Sequence, residues 1–328
     1  MKRILFFLIG MISLCGCSSD EIFDYTTKSQ AIMNGQPAGD AQYSGVVAIG
    51  IRTRSGVSSY CTGTLIDKNV VLTAAHCVSN ADNFPFTTYF NDKKIVAVLG
   101  EDVIDPDNDH IFTANRLSVH NYYDQEYSYH DLALLWLNKD VPAEIATPIP
   151  ILEDSGVILS MVNNHTRFEA VGYGVDDNGL SGKRLWAEGF IGKYCYLGEG
   201  YCEYTNSVGE LLAVPEGAII QDLEKGGPCN GDSGGPLLAD VNGQKLVMAV
   251  VSFGDANCES YSVSTTIADH YPWLKKQLKL DDDDDGCSVS SLYRSAHCHG
   301  MPLLFLAVLL LVRHLKRRKN CSFLHGDS

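Results

Sequence analysis

Over its 328 residues the chain has no apolar run long enough to cross a bilayer as a helix. The longest are Ile4–Leu14, which is interrupted by Gly10, and the twelve residues Met301–Val312. Positive charge is also scarce: 25 Lys and Arg stand against 40 Asp and Glu, a net charge of −15. A nucleic-acid binder needs a basic face, so that class is excluded. The acidity names no partner, because five of the acids form one run, Asp281–Asp285. There is no internal repeat and no Gly-rich phosphate loop. Eleven cysteines are too few for a small disulfide scaffold but enough for two or three bridges in an exported protein. With 45% hydrophobic and 20% charged residues, the bulk of the chain is globular, not disordered.

Both ends carry targeting patterns. Lys2 and Arg3 precede the apolar stretch to Leu14, the charged and hydrophobic regions of a secretory signal. Leu14-Cys15-Gly16-Cys17 resembles a bacterial lipobox, which implies cleavage before Cys17 and lipid on its sulfur. Ordinary cleavage after Gly16 is the alternative. At the other end Gly286-Cys287-Ser288, the apolar segment and the bases Arg313, Lys316, Arg317, Arg318 and Lys319 resemble a C-terminal sorting tag. Twelve helical residues cover only about 18 Å, and the basic cluster stays cytoplasmic. A plain tail anchor is the alternative. Either way the intervening domain sits outside the cytoplasm, tethered to a membrane. The expected location is the envelope of a bacterium, at the outer membrane or cell surface.

Between residues 32 and 280 the apolar stretches are short and separated by Gly, Asn, Asp and Ser. Val46–Ile49, Lys94–Leu99, Leu132–Leu137 and Val247–Phe253 are examples. This punctuation predicts an all-β sandwich or barrel. Only the end reads as a helix, with Ile267, Tyr271, Leu274 and Leu278 on one face.

Three segments carry chemistry. They are Leu72-Thr73-Ala74-Ala75-His76-Cys77, His130-Asp131-Leu132-Ala133-Leu134-Leu135, and Cys229-Asn230-Gly231-Asp232-Ser233-Gly234-Gly235-Pro236. The third is a tight glycine-rich turn presenting one serine, whose glycines let backbone N–H groups converge as an oxyanion site requires. A serine hydroxyl needs a neighbouring base, and His76, with an ordinary pKa near 6.5, suits that role. An Asp entering an apolar strand, as Asp131 does, is costly to bury unless hydrogen-bonded; orienting an imidazole satisfies it. His76 or Asp131 taken singly fits a packed histidine or a strand cap. The three in the order His, Asp, Ser fit a catalytic triad.

On these motifs the segment Ile32–Leu280 resembles the trypsin/chymotrypsin family of serine endopeptidases. Cys61-Thr62-Gly63-Thr64-Leu65-Ile66 and Val251-Ser252-Phe253-Gly254 strengthen the resemblance. It implies two six-stranded antiparallel barrels with a C-terminal helix and the site between the barrels. It implies Ser233 as nucleophile, His76 as base and then acid, Asp131 as orienting carboxylate, and the N–H groups of Gly231 and Ser233 as oxyanion hole. Ser252, Phe253 and Gly254 would pair with substrate as an added strand. Ile32-Met33-Asn34-Gly35 resembles the family's new N-terminus, whose freed ammonium pairs with the Asp before the nucleophile, here Asp232. The residue before that cut is Ala31 where the family has Arg or Lys, which points to a different activating protease; the alternative is that Asp232 finds another partner and no cut is needed. Disulfides Cys61–Cys77 and Cys229–Cys258 match the family. Cys195 and Cys202 close a local loop instead, since Ile220 replaces one partner of the family's bridge there.

Gly227 holds the position at the base of the specificity pocket where trypsin-like enzymes have Asp. With Gly254 and Ser262 on the walls, this implies cleavage after medium to large apolar residues. Asp255 and Glu259 lie nearby and favour cations. The segment Glu101–Asp109 resembles the family's calcium loop, with Glu101 and Asp109 as its ends; a solvated acidic turn is the alternative. No cofactor is required. His297-Cys298-His299 is metal-like in type but abuts the apolar anchor. The expected organisation is 1–17 signal, 18–31 propeptide, 32–280 protease domain, 281–300 acidic linker, 301–319 apolar helix with basic stop, and 320–328 tail. The expected partner is a protein or peptide substrate, and the expected state a monomer. A catalytically silent binding or adhesion protein on the same fold is the main rival; an esterase is disfavoured by the His-before-Ser order.

Overall fold

The computed structural model describes residues 32, 35–79, 94–175, 180–223 and 226–279. The signal, lipobox, propeptide, linker and C-terminal helix expected from the sequence lie outside the described residues, as do Cys15, Cys17, Cys287, Cys298 and Cys321. Among the described residues no helix is long and apolar enough to cross a membrane.

A short strand β1 (Gln36–Pro37) and a single helical turn α1 (Asp40–Tyr43) lead into a closed barrel. The barrel strands are β2 (Val46–Thr53), β3 (Gly56–Asp67), β4 (Val70–Thr73), β5 (Ile95–Val98), β6 (Ile111–Val119) and β7 (Ala133–Leu137). All pairs are antiparallel, in the order β2-β3-β4-β7-β6-β5. Val46–Gly50 and all of β5 are buried residue after residue. Both faces of these strands are covered, so the sequence shows continuous β-branched runs instead of alternation.

Helix α2 (Ser155–Asn164) then joins the barrel to a second body. Its strands are β8 (Phe168–Gly172), β9 (Leu185–Gly189), β10 (Lys193–Cys195), β11 (Tyr201–Thr205), β12 (Leu211–Pro215), β13 (Ala218–Asp222), β14 (Pro236–Val241), β15 (Gln244–Gly254) and β16 (Tyr261–Thr266). Helix α3 (Ile267–Leu278) ends it. The architecture is trypsin-like, with one refinement. Six strands, β9-β8-β14-β15-β16-β13, are extended at their two edges by β1 and β10, giving an eight-stranded sheet. Gln36 and Pro37 pair with Trp186 and Leu185 and so cover an edge of the second body with the N-terminal segment. Strands β11 and β12 form a separate hairpin.

Two expectations about helices need correction. Helix α2 was not legible: only Ile158 and Met161 are buried, too short an apolar period to detect, although Asp154 caps it by accepting from the Gly156 N–H at 2.8 Å. In α3 the buried face is Ile267, His270 and Leu274, while Tyr271 and Leu278 are only partly covered. A histidine takes the place assigned to an aromatic.

Candidate active site

His76 follows β4, Asp131 precedes β7 and Ser233 precedes β14, so the barrel supplies two of the side chains and the second body the third. Strand β3 holds the two parts together. Thr62 N–H donates to the Ser233 carbonyl at 2.8 Å, and its hydroxyl donates to the Gly231 carbonyl at 2.9 Å. Thr73 Oγ1 donates to the Thr62 carbonyl, so these buried hydroxyls are satisfied. The fit leaves no room for a side chain at Gly234: a Cβ there would lie 2.1 Å from Thr73 Oγ1 and 2.3 Å from the Thr62 carbonyl, at φ +82°.

Asp131 is buried and its carboxylate is fully used. Oδ1 accepts from the His76 backbone N–H at 2.9 Å, and Oδ2 lies 2.7 Å from His76 Nδ1. Ser252 Oγ donates to the same Oδ2. Burial acts to raise the carboxyl's pKa, but the His76 charge and these bonds outweigh it and hold the group ionised. Burial likewise acts to lower the His76 pKa, and Asp131 more than reverses it, so the imidazole sits above its ordinary value. About a third of the His76 side chain remains open to solvent.

Ser233 is half-buried beside this pair. His76 Nε2 and the Ser233 carbonyl oxygen both lie against Cys77 Sγ, at 3.7 and 3.5 Å. Among the described residues no hydrogen bond joins His76 Nε2 to the Ser233 hydroxyl. Gly231, at φ +94°, and Ser233 keep backbone N–H groups without an acceptor among the described residues. A second residue in that loop could not carry a side chain at Gly231, where a Cβ would meet Gly174 Cα at 2.8 Å.

A cavity of about 310 Å³ opens beside Ser233, lined by His76, Val251, Ser252, Phe253, Gly254 and Ser262 among others. Asn230 and Ser128, from the loop before Asp131, also line it; Ser128 carries no sequence signal. Gly227 does not line it. It lies behind, against Leu223, whose Cδ2 would be 2.3 Å from a Cβ at position 227. Asp255 lines the cavity mouth, but its carboxylate accepts from the N–H groups of Asn257, Glu259, Ser260 and Tyr261. Burial acts against its charge and these bonds outweigh that, holding its pKa down. Its charge therefore organises the turn to Tyr261. A second cavity of about 240 Å³ is lined by Cys61, Tyr173, Ser181, Asn230 and Gly231 and shares Asn230 with the first.

Asp232 is fully buried; Oδ1 accepts from Gly174 N–H at 2.9 Å and Oδ2 from Cys229 N–H at 3.1 Å. The backbone N–H of Ile32 is a third donor, and Ile32 itself is buried in the core. Burial nevertheless pushes the Asp232 carboxyl up to about 7. Disulfides Cys61–Cys77 and Cys229–Cys258 brace the loops of His76 and Ser233, and Cys195–Cys202 closes the turn between β10 and β11. Glu101 and Asp109 are both exposed on their loop. They are not among the described groups that bring three ligand atoms within 4.8 Å of one another.

A family model described as Trypsin matches residues 32–274. The chain belongs to the trypsin family. Among curated relatives of this trypsin-family chain, chymotrypsin-like elastase family member 1 of Homo sapiens is 28% identical over 279 residues, 82% of this chain and 99% of the relative. The protein of the same name from Macaca fascicularis is 26% identical over 284 residues, 83% of this chain and 98% of the relative. Complement factor I of Mus musculus is 27% identical over 259 residues, 76% of this chain and 39% of that longer protein.

Proposed function

We propose that this trypsin-family chain is an exported serine endopeptidase working through an acyl-enzyme. The observation that carries the reading is the His76–Asp131–Ser252 network at the wall of the Ser233 cavity. Ser233 Oγ attacks the scissile carbonyl while His76 Nε2 takes its proton. Asp131 keeps Nδ1–H in place and stabilises the imidazolium that forms. The free N–H groups of Gly231 and Ser233 receive the oxyanion. His76 then gives its proton to the leaving amine, the C–N bond breaks, and Ser233 is left as an ester. Water attacks that ester by the same sequence in reverse, restoring the hydroxyl. The backbone of Ser252–Gly254 lies at the end of β15 beside the cavity, in position to pair with substrate as an added strand. Two cavities that share Asn230 suit cleavage inside a chain.

The uncut connection before Ile32 leaves Asp232 with neutral donors only, among the described residues. A cut between Ala31 and Ile32 would place an ammonium at the atom already bonded to it, and we read this as the activation step. Three disulfides and the signal-like N-terminus support export. Tethering by Cys17 lipid, by the C-terminal tag or by both is part of the same proposal. The test is hydrolysis of casein by the cut enzyme, abolished by a fluorophosphonate. A folded, cut protein without hydrolysis would favour the silent binding protein.

Specificity follows from the lining of the cavity. Phe253 and Val251 are apolar, and the Asp255 carboxylate is committed to the N–H groups of its turn. A peptide library is expected to show cleavage after medium to large apolar residues, with kcat/KM for Lys or Arg at least ~10-fold lower. A reversed order would mean that the ionised Asp255 carboxylate at the cavity governs the choice. Filling Gly254 with Val is expected to shift the preference to small side chains, since residue 254 walls the cavity.

A further inference from the structure

Three histidines meet directly behind Asp131. His120 and His130 come from the loop between β6 and β7, and His270 from the buried face of α3. Each offers a ring nitrogen within 4.8 Å of the other two. Two other groups of potential ligands, around Cys61–Cys77 and Cys195–Cys202, have their sulfurs tied in disulfides. The histidine trio keeps its donors free of such ties. His120 and His270 are buried, and the His130 side chain is 15% exposed.

We propose that His120, His130 and His270 form a binding site for a zinc-class divalent transition metal, linking the segment that carries Asp131 to the C-terminal helix. His130 Nδ1 and His270 Nε2 face each other at 2.9 Å. Nitrogens on a tetrahedral zinc lie ~2.0–2.1 Å from the metal, hence ~3.3 Å apart, so this pair needs to open by less than half an ångström. His120 enters by a side-chain rotation; its recorded bond, from the Tyr122 N–H to Nδ1, is a long 3.3 Å.

The surroundings orient the rings as ligands require. His270 Nδ1 donates to the Thr266 carbonyl at 2.7 Å, which leaves Nε2 as a lone pair aimed at the cluster. His130 Nε2 lies 4.0 Å from Glu216 Oε1. When a metal takes His130 Nδ1, the proton now shared with His270 moves to Nε2 and faces that carboxylate, so no net charge is lost from the ring. Trp273 packs its ring 4.9 Å from that of His120, and its buried Nε1–H has no acceptor among the described residues.

His130 has φ +53°, a left-handed conformation uncommon for a residue with a side chain, and the next residue is Asp131. A metal on its ring would stabilise that conformation and the position of the carboxylate with it. The site thus joins residues of the barrel segment to a helix of the second body.

The test is zinc binding by the metal-stripped full chain, read by competition with a chromophoric chelator, with cobalt absorption as a second signal. Wild type is expected to bind one equivalent more than His120→Phe, which keeps an aromatic ring against Trp273. It should give tetrahedral cobalt bands that the variant lacks, and a zinc-dependent rise in Tm that the variant loses. Equal stoichiometry in the two proteins would overturn the site, because zinc would then be held elsewhere. If the variant fails to fold, the ring nitrogens of wild-type His130 and His270 are followed by NMR. Shifts on adding zinc support the site, and unchanged resonances at saturating zinc refute it.

Discussion

Replacing Asp131 with Asn is expected to lower kcat about 10⁴-fold while KM changes little, the scale of loss for an orienting carboxylate in such a triad. The amide keeps the shape but offers His76 Nδ1 an N–H or an oxygen of weak basicity, and no longer stabilises the imidazolium. The pH profile moves as well. His76 must be neutral to act as base, so kcat/KM is present above its pKa and falls as pH drops through it. In the native protein Asp131 holds that pKa above ~6.5. In the variant the burial that opposes the charged ring acts alone, and the acid limb is expected to move to lower pH. An unchanged limb would mean another group governs it. Ser252→Ala, which removes one donor to the same oxygen, should raise the Asp131 pKa and lower kcat by a smaller factor, ~10-fold.

The second large effect concerns Asp232 and depends on whether the chain has been cut. In the uncut chain the carboxyl is raised from 3.8 to about 7. Between these two values the native state holds a proton that the unfolded state has released. Stability therefore falls as pH rises through this window, by ~4 kcal/mol in all. Asp232→Asn removes the titration. The uncut variant is expected to show no such loss, although its amide NH2 faces a backbone N–H that the carboxylate accepted, which costs stability at every pH. After a cut between Ala31 and Ile32 the sign reverses: the ammonium compensates the buried carboxylate, and Asn leaves an unpaired buried charge, costing ~3–5 kcal/mol. Urea unfolding of both forms of wild type and variant at pH 5 and pH 8 measures all eight values. A loss of stability between pH 5 and pH 8 in the uncut Asn variant as large as that of the uncut wild type would contradict the account.

Much of the site was readable because its chemistry is packed into contiguous words. Gly231 and Gly234 stand where backbone approaches within 3 Å leave no room for a Cβ, so the turn announces itself in composition. The Asp131 position is marked by an acid opening an otherwise apolar strand. What stayed hidden depends on three-dimensional neighbours. Ser128 reaches the cavity from a loop with no pattern. Gly227 holds the expected place in sequence, yet it packs against Leu223 and does not line the cavity beside Ser233, and only packing decides that. Asp255 reads as a free acid, while four backbone N–H groups claim its carboxylate. His270 was passed over because a period of apolar residues does not count histidine, although its burial and its partners make it part of the only such trio among the described residues without a disulfide. The eight-stranded extension was equally invisible, since β1 is two residues long and owes its existence to Trp186 and Leu185.

The most direct test of the whole account is where a fluorophosphonate lands on the cut enzyme at neutral pH. Peptide mass analysis is expected to place one adduct on Ser233. Labelling should vanish in Ser233→Ala and fall in step with activity as His76 is protonated. An adduct on another residue, or equal labelling of the Ser233→Ala variant, would contradict it.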